Sequence, residues 1–185
     1  MRVISGTAGR TKLKSPKVKN TRPTADRVKE AVFNILNPLV TQCGFLDLFA
    51  GSGAIAIEAL SRGAKFAVLV EKDYKNIQLI RENLQVTRLS ENADIMGMDI
   101  QKAFKILKQK QLMFDIIYVD PPYYEGYYEN VLEQISACKI LKNGGVVVVE
   151  SSKLRPPPNT VGMLTNVRTQ KYGDTLIGLY QHTQQ

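Results

Sequence analysis

The hydrophobic pattern changes character along the chain. Val28, Ala31, Val32, Ile35 and Leu36 recur at the spacing of one buried helical face; Thr24 stands ahead of them as an N-cap, and Asn37-Pro38 ends the segment. From Phe45 onwards short continuous apolar runs take over, at 45–50, 66–70, 93–98, 115–119 and 145–149. Helix-length segments separate them: one to about Ser61, one capped by Asp73 and running to about Val86, one over 100–110 and one over 130–138. This alternation predicts parallel strands covered on both faces. The end differs. Residues 166–172 and 175–180 flank Gly173-Asp174 and predict an antiparallel hairpin, with Arg155-Pro156-Pro157-Pro158 as the connector into it. At the start, Arg2-Val-Ile-Ser and Lys12-Leu-Lys predict two short strands around a Gly6/Gly9 turn, and Ser15-Pro16 and Arg22-Pro23 mark an extended linker.

Composition narrows the functional classes. A chain of 185 residues, 44% hydrophobic and 23% charged, has the size and make-up of one globular domain. No apolar run approaches the roughly 20 residues that span a bilayer, and the opening Met1-Arg-Val-Ile-Ser-Gly lacks a secretory stretch, so the expectation is a cytoplasmic protein with no membrane partner. Cys43 and Cys138 form no disulfide framework. With a single histidine, His182, near the end, neither a metal site nor a histidine-based triad is expected.

The net charge of +8 is concentrated at one end. Residues 1–40 hold nine basic and two acidic residues, whereas 41–185 hold sixteen and fifteen. A cationic head on an electrically ordinary body points to a polyanion partner. The expected division is a basic hairpin and linker over 1–22 and a catalytic domain over 23–185.

In an open parallel sheet, ligands sit beyond the carboxyl ends of the strands. Ala50-Gly51-Ser52-Gly53 follows the first strand, where glycines allow close backbone approach and a helix start offers free N–H groups. Glu71 ends the second strand, twenty residues after Gly51, placed to accept hydrogens from a ribose diol. Asp99 ends the third strand and is suited to an adenine amino group, with Met98 and Ile100 as apolar neighbours, although capping the next helix explains it equally well. Together these residues read as a pocket for an adenosine-containing cofactor, with nicotinamide dinucleotide and S-adenosylmethionine both open. Asp120-Pro121-Pro122-Tyr123 after the fourth strand decides between them. An exocyclic amine is a poor nucleophile because its lone pair is delocalised into the ring. Acceptors at Asp120 and the Pro121 carbonyl would hold it toward sp3 character as a methyl group arrives, with Tyr123 stacked on the base. Hydride transfer needs none of this.

Asp47-Leu-Phe-Ala-Gly-Ser-Gly53, Glu71 and Asp120-Pro-Pro-Tyr123 resemble the class I S-adenosylmethionine-dependent methyltransferases that act on amino nitrogens. Val3-Ile-Ser-Gly6, Thr21-Arg-Pro-Thr24 with Asp26-Arg-Val-Lys-Glu30, and Tyr172-Gly-Asp-Thr175 narrow the resemblance to the RsmD-type 16S rRNA guanine-N2 methyltransferases. The resemblance implies an α/β, Rossmann-like fold with a seven-stranded, mostly parallel sheet and a C-terminal antiparallel hairpin. It implies methylation of a guanine N2 of the 966 type in 16S rRNA, free or in an assembling 30S subunit. The cofactor site would be Asp47, Phe49, Ala50, Gly51, Gly53, Glu71 and Lys72, with Met98, Asp99 and Ile100. Asp120, Pro121, Pro122 and Tyr123 would hold the target base. Arg10, Lys12, Lys14, Arg22, Thr24 and Arg27 are the expected RNA contacts, and a monomer is expected. Competing readings are an amino-methyltransferase for DNA adenine N6 or protein glutamine, a dehydrogenase, and a non-catalytic RNA-binding module.

Overall fold

The computed structural model describes residues 1–15, 23–121 and 127–183, which fall into two compact units, 1–100 and 101–185. In the first, residues 1–15 fold back on themselves through an antiparallel bridge between Arg2 and Lys12, closed by Val3 N–H to the Thr11 carbonyl and Arg10 N–H to the Val3 carbonyl. The hairpin expected here is thus one bridge long. Helix α1 (Pro23–Val40) follows, then β1 (Gly44–Asp47), α2 (Ala54–Ser61), β2 (Phe66–Glu71), α3 (Tyr74–Thr87), a 3-10 turn at Ser90–Asn92 and β3 (Ala93–Gly97). The strands lie parallel in the order β3-β2-β1, with Asp47 opposite Leu69 and Glu71 opposite Gly97. All four residues of β1 are buried, as are the four central residues of β2, which explains why the sequence shows unbroken apolar runs there.

The second unit comprises α4 (Ile100–Gln109, with Ile100 at the junction), β4 (Phe114–Val119), α5 (Tyr127–Cys138), β5 (Leu141–Ser152), β6 (Thr160–Val161), β7 (Leu164–Tyr172) and β8 (Thr175–His182). Strand β4 pairs in parallel with β5, and β5-β8-β7-β6 continue antiparallel. Three strands in one unit and five in the other make eight among the described residues, one more than expected. The extra strand, β6, is two residues long and pairs only with β7, too short for an alternation to register in sequence.

Other expectations need correction. Helix α1 begins at Pro23, which places Thr24 in the first turn and not at the cap; proline suits a first helical position because its missing N–H has no intrahelical partner anyway. It also continues through Pro38 to Val40. Proline in a last turn costs a single bond, to the carbonyl of exposed Asn34, and the continuation buries Val40. Strand β1 stops at Asp47, not Ala50, because the Phe49 amide turns back to the Asp47 carboxylate. Strand β5 is longer than its apolar run, reaching Ser152 through its pairing with Thr175. The linker positions 16–22 lie outside the described residues.

Candidate active site and nucleic-acid interface

The turn after β1 is built around a carboxylate on the neighbouring strand. Glu71 Oε2 accepts the Gly51 N–H at 2.9 Å and a weaker contact from Asn76 Nδ2 at 3.4 Å, while Oε1 accepts the Asp73 N–H at 2.8 Å. A carboxylate takes about four hydrogen bonds, so acceptor capacity remains on this half-buried group. Gly51 has φ +53°, and a side chain added there would meet nothing within 4 Å. The glycine is therefore demanded by its backbone, and it leaves open space. Gly53, at φ +78°, is demanded by its backbone as well and also by packing: a Cβ would come within 3.2 Å of Leu69 and 3.3 Å of Ile80. The two glycines of the fingerprint share a left-handed backbone and differ in what lies beside them, open space at Gly51 and packed side chains at Gly53.

Asp47 closes β1 with 1% exposure. Its Oδ1 accepts the Phe49 amide at a long 3.4 Å, and its Oδ2 is sealed from water without a partner among the described residues. Burial pushes this carboxyl up to about 7, opposed by the Phe49 and Ala56 amides and reinforced by the charge of Glu71. Phe49 is half-buried and Ala50 buried in the same turn. At the end of β3, Met98 is half-buried, with its amide on the Met96 carbonyl; Asp99 is exposed and Ile100, the first residue of α4, is buried. Lys72 is exposed beside Glu71. Beyond Asp73 and Asn76, an open groove of about 960 Å³ runs along α3, lined also by Lys14, Tyr74, Leu79 and Glu82.

In the second unit Asp120 and Pro121 follow β4 directly, Asp120 exposed and Pro121 buried. Pro122 and Tyr123 lie outside the described residues, as does Arg22. Sequence reading missed a group close by: the Tyr118 hydroxyl donates to Glu150 Oε2 at 2.5 Å. Burial pushes the Glu150 carboxyl up, with the Tyr118 hydrogen bond opposing. A lone glutamate after four valines carries no signal of this pairing.

Among the expected RNA contacts, Arg10, Lys12, Lys14 and Arg27 are exposed, and Lys14 pairs with Glu82 at 3.0 Å. The segment that carries the first three is not a free appendage. Fully buried Glu58 on α2 accepts the Ile4 and Ser5 amides at 2.7 and 3.0 Å and Arg62 Nε at 2.8 Å, and sits 3.5 Å from Lys29 Nζ. Lys29 Nζ also reaches the Arg2 carbonyl, and its burial lowers its pKa against the pull of Glu58 and Asp26. Ser61 holds the Ala8 amide and the Ser5 carbonyl. Asn83 on α3 binds the Lys14 amide and carbonyl as well as the Ser52 carbonyl, so one side chain ties the basic segment to the glycine turn. Lys29, counted with the cationic head, is thus internal. Polar residues on otherwise apolar helical faces, Glu58 above all, were the sequence signal for this clamp.

The family model described as "Conserved hypothetical protein 95" matches residues 1–181. The chain belongs to this family, the RsmD type. Ribosomal RNA small subunit methyltransferase D of Escherichia coli K12 is 34% identical over 185 residues, covering 100% of this chain and 91% of its own. A hypothetical protein of Thermus thermophilus has a solved structure with TM-score 0.83 at 28% identity, over 98% of this chain and 99% of that one. An S-adenosylmethionine-dependent methyltransferase of Agrobacterium tumefaciens shares the fold alone, with TM-score 0.62 at 18% identity over 78% of this chain and 50% of its own. This RsmD-type chain is accordingly a methyltransferase with the Rossmann-like class I fold.

Proposed function

We propose that the protein transfers a methyl group from S-adenosylmethionine to the exocyclic N2 of a guanine in 16S rRNA, of the 966 type, during assembly of the small ribosomal subunit. In this reading it works in the cytoplasm as a monomer, without a metal. The observation that carries it is the Gly51–Glu71 turn: a carboxylate with spare acceptor capacity beside a glycine with open space. These residues fit the cofactor. Glu71 would take the ribose diol, and Met98, Asp99 and Ile100 the adenine. Asp47, whose Oδ2 lacks a partner among the described residues, matches the ammonium of the cofactor's amino-acid end, with Phe49, Ala50, Gly53 and Lys72 around them. Bound there, S-adenosylmethionine supplies an electrophilic methyl group on a sulfonium.

The rest falls to the chain's own residues. Asp120 and the Pro121 carbonyl would accept the two N2 hydrogens and stabilise the positive charge that builds on the amine. Pro122 would fix the turn, and Tyr123 would stack on the base. Positioning of the two reactants supplies most of the acceleration, and once the new N–C bond has formed one N2 proton leaves to Asp120 or to water. The target base must be unpaired or flipped out to reach such a turn. Arg10, Lys12, Lys14, Arg22, Thr24 and Arg27 would grip the RNA backbone, a contribution that weakens steeply with salt.

Labelled methyl transfer to small-subunit particles lacking the modification, with rRNA, DNA and total protein in parallel, tests the reading. Label at a guanine N2, lost in Asp120→Ala while cofactor binding survives, is the expected result. Label on DNA adenine or protein glutamine would keep the chemistry and overturn the acceptor. Cofactor binding without any label would favour an RNA-binding module.

A further inference from the structure

The carboxyl of Glu150 has no part in the roles described so far, yet it lies beside Asp120, the residue that follows β4. Val119 of β4 is in register with Val149 of β5, so Asp120 and Glu150 are the next residues along two parallel neighbours. Register partners in a parallel pair share a face, and faces alternate along each strand. Tyr118 and Glu150 therefore stand on one face, as their hydrogen bond requires, and the same alternation carried one residue past β4 gives Asp120 that face too. Among the described residues no basic side chain pairs with Glu150, and Tyr118 is its hydrogen-bond donor. One carboxylate oxygen is thus fixed by a phenol that itself belongs to the buried strand, and acceptor capacity remains on the other. A carboxylate held near the strand end with such capacity is a reader for a donor on a ligand.

The chemistry of the acceptor base identifies the donor. Next to the N2 amine of guanine the ring carries N1–H, a donor. Next to the N6 amine of adenine the ring N1 is a bare acceptor, which a carboxylate repels. Resting on the guanine-N2 reading above, we propose that Glu150, oriented by Tyr118, accepts the guanine N1–H and so selects guanine over bases whose N1 is unprotonated. Asp120 holds the amine and Glu150 reads the ring atom beside it. Partial burial of this carboxyl sharpens the choice, because a partly desolvated acceptor left without its donor costs more than a solvated one.

The decisive comparison uses small-subunit particles assembled on RNA carrying either guanine or 2,6-diaminopurine at the methylated position. Diaminopurine keeps the N2 amine but has no N1–H. The wild-type protein is expected to prefer guanine by about 100-fold or more in kcat/KM. Glu150→Gln, whose amide can donate to a bare N1, should reduce that ratio by at least about tenfold with S-adenosylmethionine affinity unchanged. A purely structural role would lower both rates together and leave the ratio intact. If Glu150→Gln fails to bind cofactor, Tyr118→Phe decides: it keeps the carboxylate, loosens its orientation, and should reduce the ratio about threefold or more. Equal use of both bases by the wild type, or an unchanged ratio in the folded variant, overturns the proposal. Failure of the wild type to methylate any guanine N2 overturns the functional reading instead, so the two failures are distinct.

Discussion

Two buried acids in the first unit have opposite surroundings. Glu58 is fully buried, accepts two backbone amides and an arginine, and has Lys29 alongside. Asp47 is buried almost as deeply, but its hydrogen bond from Phe49 is long and its Oδ2 has no partner among the described residues. The first is a clamp that joins the N-terminal segment, α1 and α2. The second stands at a strand end beside the turn assigned to the cofactor. A buried charge that is fully paired belongs to the architecture, whereas one left short of donors is a candidate for binding, the role proposed for Asp47.

Removing the clamp should have the largest effect. Glu58→Ala takes the nearest counter-charge from buried Lys29, leaving it Asp26 and the Arg2 carbonyl, and strips two backbone amides of their acceptor, so urea unfolding should show a loss of about 3–5 kcal/mol. It should also release residues 1–15, which bury Val3, Ala8 and Leu13. For the same reason, deleting the N-terminal segment is a poor test of RNA binding, because it removes part of the core.

Asp47 should behave in the opposite sense. Its carboxyl is raised to about 7, so the folded state holds the proton more tightly than the unfolded chain. That contribution is fully present below about pH 4 and is lost as the pH rises through about 7, at up to about 1.4 kcal/mol per pH unit. Asp47→Asn should flatten this decline in a series of unfolding curves between pH 4 and 8. A slope unchanged from wild type would mean that the burial of Asp47 is relieved in solution.

Glu71→Ala separates the two kinds of site further. Its donors are near the surface, so stability should fall by only about 1 kcal/mol, while the dissociation constant for S-adenosylmethionine should rise about tenfold or more. Calorimetric titration checks this, and an unchanged constant would refute the ribose role. The smallest effect on the fold belongs to the exposed cations. Arg10→Ala with Lys12→Ala should leave stability within about 0.5 kcal/mol, yet weaken RNA binding and make it less salt-dependent. Filter binding across a salt series would show it, and an unchanged salt slope would remove these residues from the interface.

The order of strands and helices was legible in the sequence because continuous apolar runs, a capping Asp73 and the Gly173-Asp174 turn are local signals with one physical meaning each. The Gly51–Glu71 pairing was legible as a spacing, and the structure turns it into a 2.9 Å hydrogen bond. Less was legible where a residue's role depends on distant partners. Pro38 reads as a helix stop, yet burial of Val40 carries α1 past it. Lys29 reads as one more cation in a basic head, yet it is internal because Glu58 is there to receive it. Glu150 reads as an ordinary strand end until its pairing with Tyr118 is seen. Sequence by itself determined the alternation of elements, the glycine turn and the acid at the end of β2, because backbone propensity and hydrophobic burial act over a few neighbouring residues. Only the tertiary structure decided which charges are paired and which acids are left short, since Glu58 and Ile4 are 54 residues apart and electrostatic satisfaction is a property of distance in space.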